Sequence, residues 1–355
     1  MTHLNMLKKG LVLFCLLGLL ASVAGCSQDE SQTSGPQGKV YFNWFDTVSY
    51  VYSYAGDPAE TFEERSAGVS GVLTEYHRLF DIYHEYSGIN NLCTINRLAG
   101  GEPLPVDDKL IDFLLYAKEL YEQTDGEMNI LMGAVLTIWH DHRTAASDDP
   151  SKASLPAVDA LEAAAGHTDI SLLEIDAKQG TVRLTDPKAS IDVGALGKGY
   201  ATEKAAEYLE QQGADSYVLN IGGNIRIVGT KPDGSGWKTA VKDPKDPENQ
   251  YAATLDLTDT ACVTSGNYER YFTVNGKQYH HIIDPDTLFP AEQFASVTIV
   301  TRDSGLADAL STALFCMSYE EGLALVEKLG GVDVLWVEHD GTVRYTDGLA
   351  DKMVN

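Results

Sequence analysis

Positive charge is scarce in this chain: 26 Lys and Arg stand against 52 Asp and Glu, a formal net charge of −26 over 355 residues. Such a surface repels nucleic-acid phosphates, which excludes nucleic acid as a partner. A diphosphate ligand would be repelled as well unless a metal, a lysine or oriented backbone amides compensated it locally. Cysteine is sparse, with five in all, of which Cys15 and Cys26 lie near the N-terminus. The other three, Cys93, Cys262 and Cys316, lack CxxC spacing and sit among apolar residues, so buried free thiols fit better than a disulfide framework or a zinc site. Long hydrophobic runs are missing apart from residues 11–25, LVLFCLLGLLASVAG, a stretch too short to cross a bilayer comfortably. Internal repeats are missing too.

The one apolar run is preceded by Lys8 and Lys9 and closes on small residues, as a signal peptide does. Val23, Ala24, Gly25 and Cys26 match a lipobox, in which cleavage before the cysteine is followed by acylation of the new N-terminus. Residues 1–25 are therefore expected to be a lipoprotein signal peptide, and the protein to be exported and held on the extracytoplasmic face of a bacterial membrane by lipid on Cys26. Residues 26–39, rich in Ser, Gln and Gly, have no apolar periodicity and read as a flexible tether. Residues 40–355 then form a single catalytic unit.

Helical periodicity runs through 60–83, 107–123, 130–142, the LPAVDALEAAA segment and 199–212. It returns in DSGLADALSTALFCM and YEEGLALVEKLG. Strand patterns appear at TVRLT, ASIDV, ASVTIVT and the two runs flanking Gly222-Gly223. Asn275-Gly276 and Asp340-Gly341 mark hairpins. The mixture is α+β with a mixed, mainly antiparallel sheet and packed helices, and a strand-helix-strand unit around 192–219 leaves room for one parallel step.

Three segments carry candidate chemistry. In IDVGALGKGYATEKAAEYL a glycine-rich turn opens a helix, so backbone amides, the helix dipole and Lys198 could meet an anionic ligand. It is not a Walker A loop, because only Ala195 and Leu196 separate Gly194 from Gly197. Alone, this turn would equally suit a strand-to-helix connection without ligand. In LADALSTAL the spacings put Asp308, Ser311 and Thr312 on one side of an otherwise apolar helix, which suits a hard cation such as Mg²⁺. The plainer alternative is an aspartate that complements the dipole of its own helix. In HHIIDPDTLFP the strand alternation sends His280 and His281 to opposite faces, and a neutral histidine near Asp284 could take a proton from a hydroxyl. Thr264, Ser265 and Asn267 of VTSGNYERY are otherwise ordinary turn formers.

Taken in order, FDTVSYV, DIYHEYSGINNLCTIN, TDGEMNILMGAVLTIW, IDVGALGKGYA, VLNIGGNIRIVG, VTSGNYERY, HHIIDP and ADALSTAL resemble the FAD:protein FMN transferase family, also called ApbE. The resemblance covers nearly everything after the tether and implies the ApbE fold, with FAD as substrate and Mg²⁺ as cofactor. It implies that Phe45, Tyr83, Glu127, Met128, Asn129, Asp192, Lys198, Ile283 and Ser311 contact FAD. The metal ligands fall on the carbonyl of Ala195 and the side chains of Asp308 and Thr312. His281 matches the catalytic histidine, with Asp284 beside it.

The implied reaction moves the FMN half of FAD onto a Thr or Ser hydroxyl of an acceptor protein, a membrane redox subunit, and releases AMP. A hydrolase splitting FAD into FMN and AMP, a non-catalytic flavin-binding lipoprotein and a solute-binding lipoprotein unrelated to flavin are the alternatives. Several positions depart from the family pattern: Asn129 and Asn224 replace aspartates, Phe45-Asp46 replaces Met-Gly, Ala134 replaces a proline, and Leu288 replaces a glycine. The asparagines keep size and hydrogen bonding. Leucine at a position needing positive φ would cost about 1–2 kcal/mol and reshape the loop beside Asp284.

Overall fold

The computed structural model describes residues 35–354. The signal peptide, Cys26 and residues 26–34 of the expected tether lie outside the described residues. The described residues open with β1 (Gln37–Trp44), β2 (Thr47–Ser53), α1 (Ala59–Phe80), α2 (Leu92–Arg97), β3 (Leu104–Pro105) and α3 (Asp108–Gln123). Next come α4 (Gly133–Asp148), α5 (Val158–Ala165), β4 (Leu173–Asp176), β5 (Thr181–Leu184), α6 (Gly197–Gln211), β6 (Ser216–Ile221) and β7 (Asn224–Gly229). Five strands follow, β8 (Trp237–Lys242), β9 (Tyr251–Leu257), β10 (Ala261–Gly266), β11 (Tyr271–Val274) and β12 (Lys277–His280). The last elements are β13 (Ser296–Thr301), α7 (Ser304–Cys316), α8 (Tyr319–Leu329), β14 (Asp333–Val337) and β15 (Val343–Tyr345). Among the described residues regular structure thus begins at Gln37, inside the segment read as tether.

Eight strands form one sheet in the order β1-β2-β6-β7-β10-β13-β14-β15, every neighbouring pair antiparallel. The α+β expectation holds, but the sheet contains no parallel step. ASIDV, expected as a strand, makes only an isolated parallel bridge between Ser190 and Met132. Its alternating burial arises because any extended chain shows period two. What takes the place of a neighbouring strand is Asn96, whose side chain donates to the Ile191 carbonyl at 2.9 Å and accepts from its N–H at 2.7 Å.

One face of the sheet packs under α1, α6 and α7, and Tyr217, Leu219, Ile221, Val297 and Ile299 point into that core. The other face carries a smaller cluster in which Ile227, Cys262, Val300 and Leu335 meet Trp237, Val241 and Leu255 of the β8–β9 hairpin. Being covered on both sides, β13 is buried along its whole length. That explains its unbroken apolar and small-residue run. A third cluster joins Trp139 of α4 to Phe272 and Ile283. Cys262 and Cys316 are buried, Cys93 is partly buried, and all three are free, as the apolar surroundings suggested.

The hairpin turns follow their residues. Gly222 and Gly223 adopt φ of 59° and 96°, and Asn275 and Gly276 adopt 51° and 82°. Between β1 and β2 the same left-handed pair is forced on Phe45 and Asp46, at 51° and 50°, a conformation that aspartate tolerates better than phenylalanine. No described helix is long and apolar enough to cross a membrane.

Candidate active site

The glycine-rich turn at 194–199 and helix α7 meet face to face. Helix α6 has no side-chain cap of its own. Its Gly199 N–H instead donates to the Asp308 carboxylate at 2.8 Å, and Lys198 Nζ lies 3.7 Å from the same oxygen. Asp308 therefore complements the dipole of a neighbouring helix; its own helix is capped by Asp303, which accepts from Leu306 N–H. The approach is so close that a Cβ on Gly199 would stand 2.4 Å from the Asp308 Cβ and 2.3 Å from the Ser304 carbonyl oxygen. Asp308 is 4% exposed, and Thr312 follows one turn later, partly buried.

The expected amide cradle is largely used internally. Gly194 N–H donates to Asp192 Oδ1 at 2.8 Å, and the amides of Leu196 and Gly197 both go to the Val193 carbonyl. Of the groups here that carry positive charge, Lys198 is the one left to compensate an anion. Ala195, in the turn, is partly buried. The donor set that the resemblance implies, one carboxylate, one hydroxyl and one carbonyl, is all oxygen and fits a hard divalent cation. Among the described residues no group of three or more His, Cys, Asp or Glu is placed to hold a metal. Ser311 turns the other way: it is fully buried, donates to the Asp308 carbonyl at 2.8 Å and lies 2.8 Å from the Ser265 hydroxyl on β10.

From Asp192 the site continues toward α4. Burial pushes the Asp192 carboxyl up, opposed by the Gly194 N–H and by His140, Arg143 and Lys198. Tyr83 is 61% exposed, with its ring 5.9 Å from that of His140, and Asp192, Arg143 and Arg270 all act on its hydroxyl. Such an exposed, flanked ring is available for stacking.

His281 closes the series. Its Nδ1 lies 3.2 Å from the Arg270 carbonyl, an acceptor, so Nδ1 carries the proton and Nε2 keeps its lone pair. Burial, and after it the positive charges of Arg270, His280 and Arg143, push the imidazole down to about 3. Its orienting partner is thus a backbone carbonyl. Asp284 caps its own turn by accepting from the Asp286 and Thr287 N–H groups at 2.8 and 3.1 Å. His280 points into the packed interior, with Nε2 2.9 Å from the Ala291 carbonyl and its ring against Phe315.

A second group surrounds Glu127. Burial, followed by the charges of Asp284, Asp286 and Glu321, pushes its carboxyl up to about 7, and its Oε2 is buried without a hydrogen-bond partner. Met128 is buried. Asn129 Nδ2 donates to the Thr168 carbonyl at 2.9 Å, a bond that aspartate could not make. Asn224 differs, because its buried Nδ2 has no partner. Ile283 is buried and bridges to Pro290, while Phe45 packs edge-on against His77 at 5.4 Å. Leu288 adopts φ 60° and keeps the left-handed turn. Its carbonyl accepts from Trp139 Nε1 at 2.9 Å, its N–H donates to the Asp284 carbonyl at 2.9 Å, and the loop beside Asp284 is held closed at the cost of strain.

The ApbE family model matches residues 47–336. The chain belongs to the ApbE family. The FAD:protein FMN transferase of Treponema pallidum is 33% identical to it over 321 residues, covering 86% of each chain. That of Vibrio cholerae is 28% identical over 314 residues, covering 88% of this chain and 89% of the relative. Among solved structures, the ApbE protein of Thermotoga maritima superposes with a TM-score of 0.78 at 27% identity, covering 90% of this chain and all of that one. A mutant of the Vibrio cholerae flavin transferase ApbE gives 0.74 at 25% identity, again with 90% and 100% coverage. In this ApbE chain the structure adds three residues that sequence reasoning had passed over: His140, Arg143 and Arg270. Arg270 is in the VTSGNYERY segment and Arg143 ends the WHDHR run, but nothing in either spacing announces that the two come within electrostatic reach of each other.

Proposed function

We propose that the protein is an FAD:protein FMN transferase, which moves the FMN moiety of FAD onto a Thr or Ser hydroxyl of an acceptor protein and releases AMP. The observation that carries the reading is the meeting of Asp308, Gly199 and Lys198 at one end of a series whose other end is a neutral, oriented His281. FAD is held along it, with Tyr83 against the flavin and Lys198 facing the diphosphate. Asp308, Thr312 and the Ala195 carbonyl would hold Mg²⁺, which when bound neutralises diphosphate charge.

His281 Nε2 takes the proton of the acceptor hydroxyl as its oxygen attacks the FMN phosphorus. The new O–P bond forms as the anhydride P–O bond breaks, and the electron pair leaves with AMP. The Nδ1–H···O=C bond to Arg270 fixes the ring throughout. A hydrolase would follow the same path with water in place of the hydroxyl. We further propose that export and lipid on Cys26 place the enzyme at the outer face of a membrane, where an acceptor redox subunit is reached; Cys26→Ala should move the protein to the soluble fraction.

Incubation with FAD, Mg²⁺ and a flavin-accepting protein, followed by denaturing electrophoresis read by flavin fluorescence, tests the reading. A fluorescent acceptor band that disappears with chelator is the expected result. Free FMN and AMP with no labelled band would make the protein a pyrophosphatase.

A further inference from the structure

We propose that Arg143 and Arg270 together clamp the phosphoryl group of the flavin half of FAD, an assignment that rests on the flavin reading above. Helix α4 lays Trp139 against Phe272 of β11, with ring centroids 6.2 Å apart. Arg143 stands one helical turn beyond Trp139, and Arg270 lies in the exposed bend two residues before Phe272, just ahead of β11. Both steps are short, so the two guanidiniums are carried into one region, where the charges of both act on the Tyr83 hydroxyl and the His281 ring. The charge of Arg270 reaches Arg143 there, and each residue's neighbours belong to the site: Arg143 Nη2 is 3.1 Å from His140 Nδ1, and the backbone carbonyl of Arg270 holds His281.

In a chain with twice as many acids as bases, most guanidiniums find a carboxylate; Arg226 alone meets Glu203, Glu210 and Asp259. Among the described residues neither Arg143 nor Arg270 forms an ion pair, although Arg143 acts on Asp192 from a distance. Burial and the charge of Arg270 both work against the charge on Arg143. Two like charges held together without a counterion are stabilised by an anion that brings at least two oxygens, and a phosphoryl group matches two guanidinium forks. Its position follows from the order of the site. Lys198 acts on Asp192 from the Asp308 group and Arg143 acts on it as well, while both arginines act on His281, where the attacked phosphorus must lie.

The probes are FMN and riboflavin, which differ only by the phosphate. Their affinities for the full chain in detergent are measured by quenching of flavin fluorescence in the presence of EDTA, so that no cation contributes. The wild type should prefer FMN by roughly tenfold or more, the range expected of charge-assisted hydrogen bonds. The Arg143→Gln, Arg270→Gln double variant should lose that preference while its riboflavin affinity stays unchanged and its melting temperature does not fall. The double lysine variant should keep part of it. An FMN preference that survives removal of both guanidiniums overturns the assignment, and if the Michaelis constant for the acceptor protein rises instead, the pair serves the acceptor. A wild type that takes up neither flavin overturns the functional reading itself.

Discussion

The Gly199 N–H and the Asp308 carboxylate join two helices at 2.8 Å, and no side chain larger than hydrogen fits between them. Gly199→Ala should therefore separate α6 from α7. Overpacking of this kind costs on the order of 1–3 kcal/mol, and displacement of Asp308 should lower Mg²⁺-dependent FAD affinity at least tenfold. Thermal unfolding and titration calorimetry check the two effects separately. A variant with wild-type melting and wild-type FAD affinity would show that the approach is not tight in solution.

Arg226 is fully buried beneath α6, with Glu203 and Glu210 each at 3.0 Å and Asp259 at 3.6 Å. Glu203 also accepts from the Ser304 N–H at the start of α7, at 2.7 Å. Arg226→Ala would strand Glu203 without its cation and should destabilise the protein by about 3–5 kcal/mol. Denaturant titration measures it, and Arg226→Ala, Glu203→Ala together should cost less than the sum of the single changes.

Glu127, pushed up to about 7 from an ordinary 4.5, binds a proton more readily in the folded than in the unfolded chain. Its contribution to stability is present below 4.5 and is lost as pH rises through 7. Glu127→Gln should therefore melt higher than wild type at about pH 8.5 and show little advantage at about pH 4. Equal offsets at both values would mean that the carboxyl titrates normally.

His281 runs the other way. Its folded value of about 3 lies below the ordinary 6.5, so between the two the unfolded chain binds more protons and stability falls as pH drops from 6.5 toward 3. The stability margin of wild type over His281→Gln should shrink with acidification through that window. FAD, by bringing negative charge to Arg143 and Arg270, should raise the imidazole value, an upward shift that histidine NMR titration with and without FAD would record. A downward shift, or none, would place the phosphoryl group elsewhere.

The antiparallel hairpins were readable because their turns carry glycine or asparagine where positive φ is needed, as at Gly222-Gly223 and Asn275-Gly276. The β1–β2 hairpin was not, since Phe45 and Asp46 adopt that conformation against their own preference. ASIDV read as a strand because alternation reports extended backbone and not its partner, and Asn96 took the partner's place. Asp308 and His281 stood out in the sequence as chemistry-bearing types in suitable segments. Arg143 and Arg270 did not, because an arginine's missing counterion is a fact of three dimensions.

Intact-mass spectrometry of an acceptor protein after reaction with FAD and Mg²⁺ tests the central claim most directly. The account predicts that the acceptor gains one FMN, joined through a Thr or Ser oxygen with AMP released in equal amount, and that His281→Ala loses most of this gain. An acceptor of unchanged mass beside accumulating free FMN, or undiminished labelling by His281→Ala, would contradict it.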